Sequence, residues 1–288
     1  MERTIMGFLD VLKIVLYGII EGITEWLPVS STGHLILFDK FLPLRFSPAF
    51  QDMFEYVIQL AAILAVVILF WKKIFPIEKK EEGGLGWKKE SLSLWGKVLV
   101  ACIPALLAFV VDKLFLDGID DITESLMIAC ALIVYGVIFI WIEKKNENKT
   151  PTVSSVNELS YKTAFFIGCF QLLAVIPGTS RSGITIIGAL LLLVSRPTAS
   201  EFTFLLAIPT MVGASGYKIL DFIMEGNTLV STEILALIVG CAVAFVVSML
   251  VIKFLMNFVK KHDFKIFGWY RIALGVLVLA TLVLPALL

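Results

Sequence analysis

The chain has 288 residues, 59% of them hydrophobic, with a mean hydropathy of +0.94; soluble domains are roughly half apolar, so this is a polytopic membrane protein. Basic and acidic residues balance at 24 each, which leaves no net basic field to attract nucleic acid, and any charge that matters must act locally. Cys102, Cys130, Cys169 and Cys241 lie in apolar stretches at no metal-ligand spacing and read as small core residues.

The N-terminus shows no basic leader with a short apolar core and cleavage site, so the first apolar stretch is expected in the mature fold. That stretch, about 8–38, is interrupted by EGITEWLPVSSTGH, Glu21 to His34. Glu21 and Glu25 are four apart and share a helix face, where two carboxylates repel unless a cation, a proton or an arginine lies between them. Pro28 ends that helix. Ser30, Ser31, Thr32, Gly33 and His34 then form a hydroxyl-rich turn holding the only histidine of the first 261 residues. Ionisable groups at membrane depth are functional candidates, and this set suits an anion or a phosphoryl group.

Runs long enough to span, roughly 20 residues each, lie near 54–71, 94–115, 123–142, 200–220, 231–256 and 268–286, giving six crossings. The stretch about 163–194 is broken by Pro177 and GTSRSG; like 8–38 it reads as a re-entrant hairpin, because broken backbone at membrane depth must face protein or a water-filled cavity. The loops 72–93, 143–162 and 257–266 are lysine-rich and are expected inside; 112–124 and 218–233 are acid-biased and are expected outside, as are both termini. YGIIEGITEWLPVSSTG from Tyr17 and IGCFQLLAVIPGTSRSG from Ile167 share a glycine, an acid or amide three later, a proline, two hydroxyls and a closing glycine. A second echo, EYVIQLAAI from Glu55 and EFTFLLAIP from Glu201, follows each hairpin. The expected fold is all-α, one membrane domain of two inverted-topology repeats, 1–142 and 143–288, each a re-entrant hairpin plus three crossings. An odd number of crossings inverts the second half and sets the two broken segments face to face.

In the second turn Gly178, Thr179, Ser180 and Ser182 surround Arg181, so backbone amides can approach an anion that the guanidinium binds bidentately. A plain Arg181 pair with Glu21 or Glu25, neutralising buried charge, is the simpler alternative. Two stacked carboxylates favour function, since a divalent cation held by Glu21 and Glu25 and by diphosphate oxygens would explain both. Three nucleophiles stay open: Ser31 with His34 as base, His34 itself, or activated water; serine attack ranks first because three residues separate it from His34. Ser30, Thr32 and Ser182 could equally bond backbone at a helix start. His262 reads as solvated, Asp112 and Lys113 as a membrane-edge pair, and Gln59 and Gln171 as interhelical amides or supports for the ligands.

EGITEWLPVSSTGH preceded by Tyr17, PGTSRSG preceded by Gln171, VIQLAAILAV at 57–66 and FLLAIPTMVGA at 204–214 resemble the undecaprenyl-diphosphate phosphatase, or bacitracin-resistance, family over essentially the whole chain. The resemblance implies a bacterial cell-membrane hydrolase that converts undecaprenyl diphosphate to the monophosphate and recycles the lipid carrier of peptidoglycan synthesis. It also implies a divalent cation, Mg²⁺ or Ca²⁺, a site opening to the outer face, and an inverted-repeat fold. The family's acidic pair falls on Glu21 and Glu25, its serine and histidine on Ser31 and His34, and its arginine on Arg181; Ser30, Thr32, Gly178, Thr179, Ser180, Ser182 and Gln171 complete the substrate contacts. The bilayer and a polyprenyl diphosphate are the expected partners, with a homodimer the one protein partner envisaged. An acid-phosphatase mechanism is rejected, because Arg196-Pro197 has no lysine six residues upstream. A transporter or flippase of a phosphorylated polyprenyl lipid is the rival, since broken helices at the midplane also build alternating access.

Overall fold

The computed structural model describes residues 6–79, 84–107, 111 and 118–287. Asp112 and Lys113 of the proposed membrane-edge pair lie outside the described residues, as do Lys80 and Asp117 of the loops that set the orientation. Helices α1 (Phe8–Thr24) and α2 (Ser31–Phe41) flank the first break and are followed by α3 (Pro48–Leu69), the short α4 (Trp71–Ile74), α5 (Lys89–Cys102) and α6 (Asp121–Asn146). Next come α7 (Tyr161–Gln171), a 3₁₀ turn at Leu172–Val175, α8 (Arg181–Leu191), α9 (Arg196–Met224), α10 (Ser231–Phe258) and α11 (Lys265–Val278). A π-helical turn, Leu279–Val283, leads into α12 (Leu284–Leu287).

Among the described residues six helical segments are long and apolar enough to cross a membrane: Pro48–Leu69, Lys89–Leu107, Asp121–Asn146, Arg196–Met224, Ser231–Phe258 and Lys265–Ala286. Leu99, Ile238, Leu250 and Phe254 are more than half exposed on them. Apolar faces of that extent fit lipid and not water. Local chemistry fixes their starts: Ser47 accepts from the Phe50 amide at 3.2 Å with Pro48 in the first turn of α3, and Asp120 accepts from the Ile122 and Thr123 amides at 3.1 and 3.0 Å.

The expectation of an all-α chain needs one correction. Residues Ile77–Lys79 (β1) and Leu85–Trp87 (β2) pair antiparallel, with Ile77 opposite Trp87. Gly84, at φ +92°, supplies the left-handed backbone that the turn requires. This ribbon lies in the lysine-rich 72–93 loop and leaves the six crossings unaffected.

Packing joins the two ends of the chain crosswise. α1 lies chiefly against α10, while α7 lies against α5; α3 packs on α9 and α6 on α11. Close approach depends on small residues: a methyl at Gly136 would meet the Gly268 carbonyl oxygen at 2.7 Å, and one at Gly268 would meet that of Gly136 at the same distance. At the end of the bundle away from the two breaks, Glu143 accepts from Arg196 Nε and Nη2 (2.9 and 2.5 Å) and from the Phe264 amide (3.0 Å), tying α6, α9 and the start of α11. Arg196-Pro197, weighed above as a phosphatase motif, thus has a structural partner. The four cysteines are free, and His262 is exposed, stacked on Phe258 at 4.5 Å.

Candidate functional site

The two breaks have the same construction. Ser30 (φ 76°, ψ 107°) caps α2 and Ser180 (φ 59°, ψ 113°) caps α8, and each accepts from the amide of the glycine three residues on, Gly33 at 3.3 Å and Gly183 at 3.2 Å. Positive φ at a serine costs of the order of 1–3 kcal/mol. Each turn opens a helix, whose first amides have no intrahelical partner, and such a helix start suits an anion. Gly18 and Gly168, Glu21 and Gln171, Ser30 and Ser180, and Gly33 and Gly183 each stand 150 positions apart.

The turns meet through side chains. Glu25 ends α1, and its amide still bonds the Glu21 carbonyl at 3.0 Å, so the two acids keep the helical spacing read from the sequence. Arg181, the first residue of α8, donates Nη2 to Glu25 Oε1 in a tight ion pair. Its Nη1 reaches Thr210 Oγ1 at 3.5 Å. Thr210 follows Pro209, which interrupts the amide ladder inside α9. Ser31 donates to Glu25 Oε2 at 3.3 Å, and Ser182 crosses to the other turn to donate to the Glu25 carbonyl at 3.0 Å. Glu25, Ser31, Arg181 and Ser182 therefore form one connected set.

Glu21 is fully buried and neither of its carboxylate oxygens has a hydrogen-bond partner among the described residues; Gln171 Oε1 and Thr179 Oγ1 are likewise buried and unpartnered. Such atoms in an apolar interior ask for a ligand. For a divalent cation the donor set is hard oxygen from two carboxylates, which suits Mg²⁺ or Ca²⁺ better than a softer metal. No cluster of three or more His, Cys, Asp or Glu side chains occurs among the described residues, so a cation here would draw further ligands from substrate and water. Thr32 is exposed, and Gly178 is buried at φ +86°, where a methyl would meet the Ile128 backbone at 2.6 Å.

His34 lies close by but is held by other groups. Its Nδ1 is 2.7 Å from the Ser30 carbonyl, an acceptor only, so Nδ1 carries the proton. Nε2 then accepts from the Tyr270 hydroxyl at 2.7 Å, with the two rings stacked at 5.6 Å. The three-residue spacing from Ser31 allows contact, yet in this geometry the Ser31 hydroxyl is directed to Glu25. Two further residues of the region come from α11 and were not picked out from the sequence: Tyr270, and the fully buried Arg271, which donates to backbone carbonyls of both turns. The available signal was the one that singled out Glu21, an ionisable group inside an apolar crossing.

Fold and turns together define a multi-pass helical membrane protein with a buried acid, arginine and hydroxyl centre. Over residues 14–277 the chain matches the family described as bacitracin resistance protein BacA, and it belongs to that family. A protein of Enterococcus faecalis named undecaprenyl-diphosphatase is 55% identical over 95% of this chain and 98% of its own length. Relatives of the same name from Lachnoclostridium phytofermentans and Streptococcus equi subsp. equi are 53% and 49% identical, over 95% and 98% of this chain and 97% and 100% of theirs.

Proposed function

We propose that this protein is an integral membrane phosphatase that hydrolyses undecaprenyl diphosphate to undecaprenyl phosphate and inorganic phosphate, recycling the lipid carrier of cell-wall synthesis and conferring bacitracin resistance. The observation that carries the reading is the single set Glu25, Ser31, Arg181 and Ser182, drawn from two broken helices, beside the unpartnered carboxylate of Glu21. Full-length relatives named for this reaction support it and give the transporter alternative no observation of its own.

The incoming diphosphate competes with Glu25 for Arg181, whose planar fork suits phosphate oxygens as well as a carboxylate. Released from Arg181, Glu25 can accept the Ser31 proton as Ser31 Oγ bonds to the terminal phosphorus and the bridging oxygen leaves on undecaprenyl phosphate. Water then cleaves the phosphoserine, returning the proton to Ser31 and giving inorganic phosphate. Arg181 and the helix-start amides of α2 and α8 hold the charge on the transferred group. His34 is oriented by Ser30 and Tyr270, and it serves as base for Ser31 or water only after exchanging the Tyr270 bond. A divalent cation held by Glu21 and Glu25 would neutralise diphosphate charge.

In architecture, the reading is two inverted repeats with α1–α2 and α7–α8 as re-entrant hairpins. The crosswise packing of α1 on α10 and α7 on α5, and the matched strain at Ser30 and Ser180, support it. The site then faces the outer side of the bacterial inner membrane, with the lysine-rich loops in the cytoplasm. Phosphate release from a long-chain polyprenyl diphosphate by purified protein in detergent tests the activity. Release that chelator abolishes and Mg²⁺ or Ca²⁺ restores is expected; lipid binding without release would overturn the reading.

A further inference from the structure

We propose that Arg271 is a positioning residue that sets the spacing of the two turns, a role that rests on the phosphatase reading of the site between them. Its guanidinium is fully enclosed; Nη1 donates to the Pro28 carbonyl at 3.3 Å, and Nη2 to those of Gly178 and Thr179 at 3.0 and 3.3 Å. Pro28 and Gly178 each stand two residues before the capping serine of their turn. One rigid fork therefore grips the corresponding carbonyl of both broken segments.

Stability alone does not explain an arginine here. Removing a guanidinium from water costs several kcal/mol unless a carboxylate or a full set of acceptors answers it. Among the described residues no carboxylate pairs with Arg271 and its Nε has no partner; the remaining compensation is the Tyr135 ring, 5.9 Å from the guanidinium carbon. An apolar side chain would fill the space without that penalty, but it could not join two backbones. The fork is anchored as well, because α11 crosses α6 at Gly136 and Gly268, where neither helix has room to shift inward. Ser31 follows the carbonyl of Pro28 by three residues and Arg181 that of Gly178 by three, so the gap between nucleophile and anion holder is set from beneath by Arg271. Arg271 acts through backbone and touches no reacting atom.

The test uses full-length protein in detergent, comparing wild type with Arg271→Met and Arg271→Lys. Lysine keeps the charge but presents a single point donor that cannot span both turns. In both variants kcat is expected to fall on the order of 100-fold, with KM for the polyprenyl diphosphate within about threefold, since misplacement near 1 Å suffices for such a loss. Amide hydrogen exchange in peptides covering 25–34 and 176–184 is expected to quicken together by about tenfold, with α3 and α10 unchanged. Near wild-type kcat in either variant, faster exchange in one turn only, or a rise throughout the protein would overturn the proposal. Should the wild type release no phosphate, the phosphatase reading fails while the exchange comparison still decides the clamp.

Discussion

Glu25 sits at the C-terminal end of α1 and Arg181 at the N-terminal end of α8, so each charge occupies the helix end that disfavours it. Their ion pair offsets both penalties in the free protein and leaves Arg181 ready to exchange one anion for another. Arg181→Ala should abolish phosphate release, and Glu21→Ala should weaken it while raising the cation concentration required. Ser31→Ala should bind the lipid and not turn it over; normal turnover would hand the attack to water or His34. The capping serines allow a stability test with opposite signs. Ser30→Gly relieves the backbone and loses only a few tenths of a kcal/mol of capping, so its thermal midpoint in detergent should match or exceed wild type. Ser30→Ala keeps the strain and loses the acceptor for Gly33, and should fall by about 1 kcal/mol or more. Glu21, Glu25, Ser31, His34 and Arg181 were legible as candidates because polar chemistry inside an apolar run has few structural explanations. Tyr270 and Arg271 were not, because they sit near the edge of a run read as an ordinary crossing, and partners 92 to 243 residues away leave no mark in local spacing.

Helix boundaries followed from composition more readily than from any single residue. The six apolar runs correspond to the six crossings, and a cap or an ion pair marks where some of them begin: Ser47 ahead of Pro48 in α3, and Arg196, paired with Glu143, at the first position of α9. The β1–β2 ribbon escaped notice because the loop was read for charge, whereas short strands around a glycine turn announce themselves by turn chemistry. Capping also gives α6 a dependence on pH. The Thr123 hydroxyl and the amides of Thr123 and Ile122 hold the Asp120 carboxyl below its ordinary value. A carboxyl lowered in the folded state contributes stability that is present above the unfolded value, about 4, and is lost as pH falls through the folded one. Exchange protection at residues 120–126, corrected for the intrinsic rate, should therefore fall on acidification below about pH 4, and Asp120→Asn should flatten that response.

For the whole molecule, the crosswise contacts make orientation and catalysis one question. If the lysine-rich loops are cytoplasmic, single cysteines placed at Lys149 and Lys260 should resist an impermeant thiol reagent in intact cells, and one at Asn227 should react; the reverse pattern would turn the site to the other face. From the sequence, the lysine distribution gives an expected orientation and the weak echo between Tyr17 and Ile167 an expected pair of related halves. What the echo could not reveal is that α1 packs chiefly on α10 and α7 on α5.

That exchange bears on how the protein is made. α1 leaves the ribosome long before the helix it chiefly packs against, α10, which begins at Ser231. Until α10 has been inserted the apolar flank of α1 lacks its chief partner, and until α8 follows, the Glu25 carboxylate lacks Arg181. Closing so long a loop is entropically slow, so the packing of α1 on α10 forms late. A chain halted before residue 181 would leave Glu25 in the bilayer without Arg181, a state that quality-control proteases could recognise.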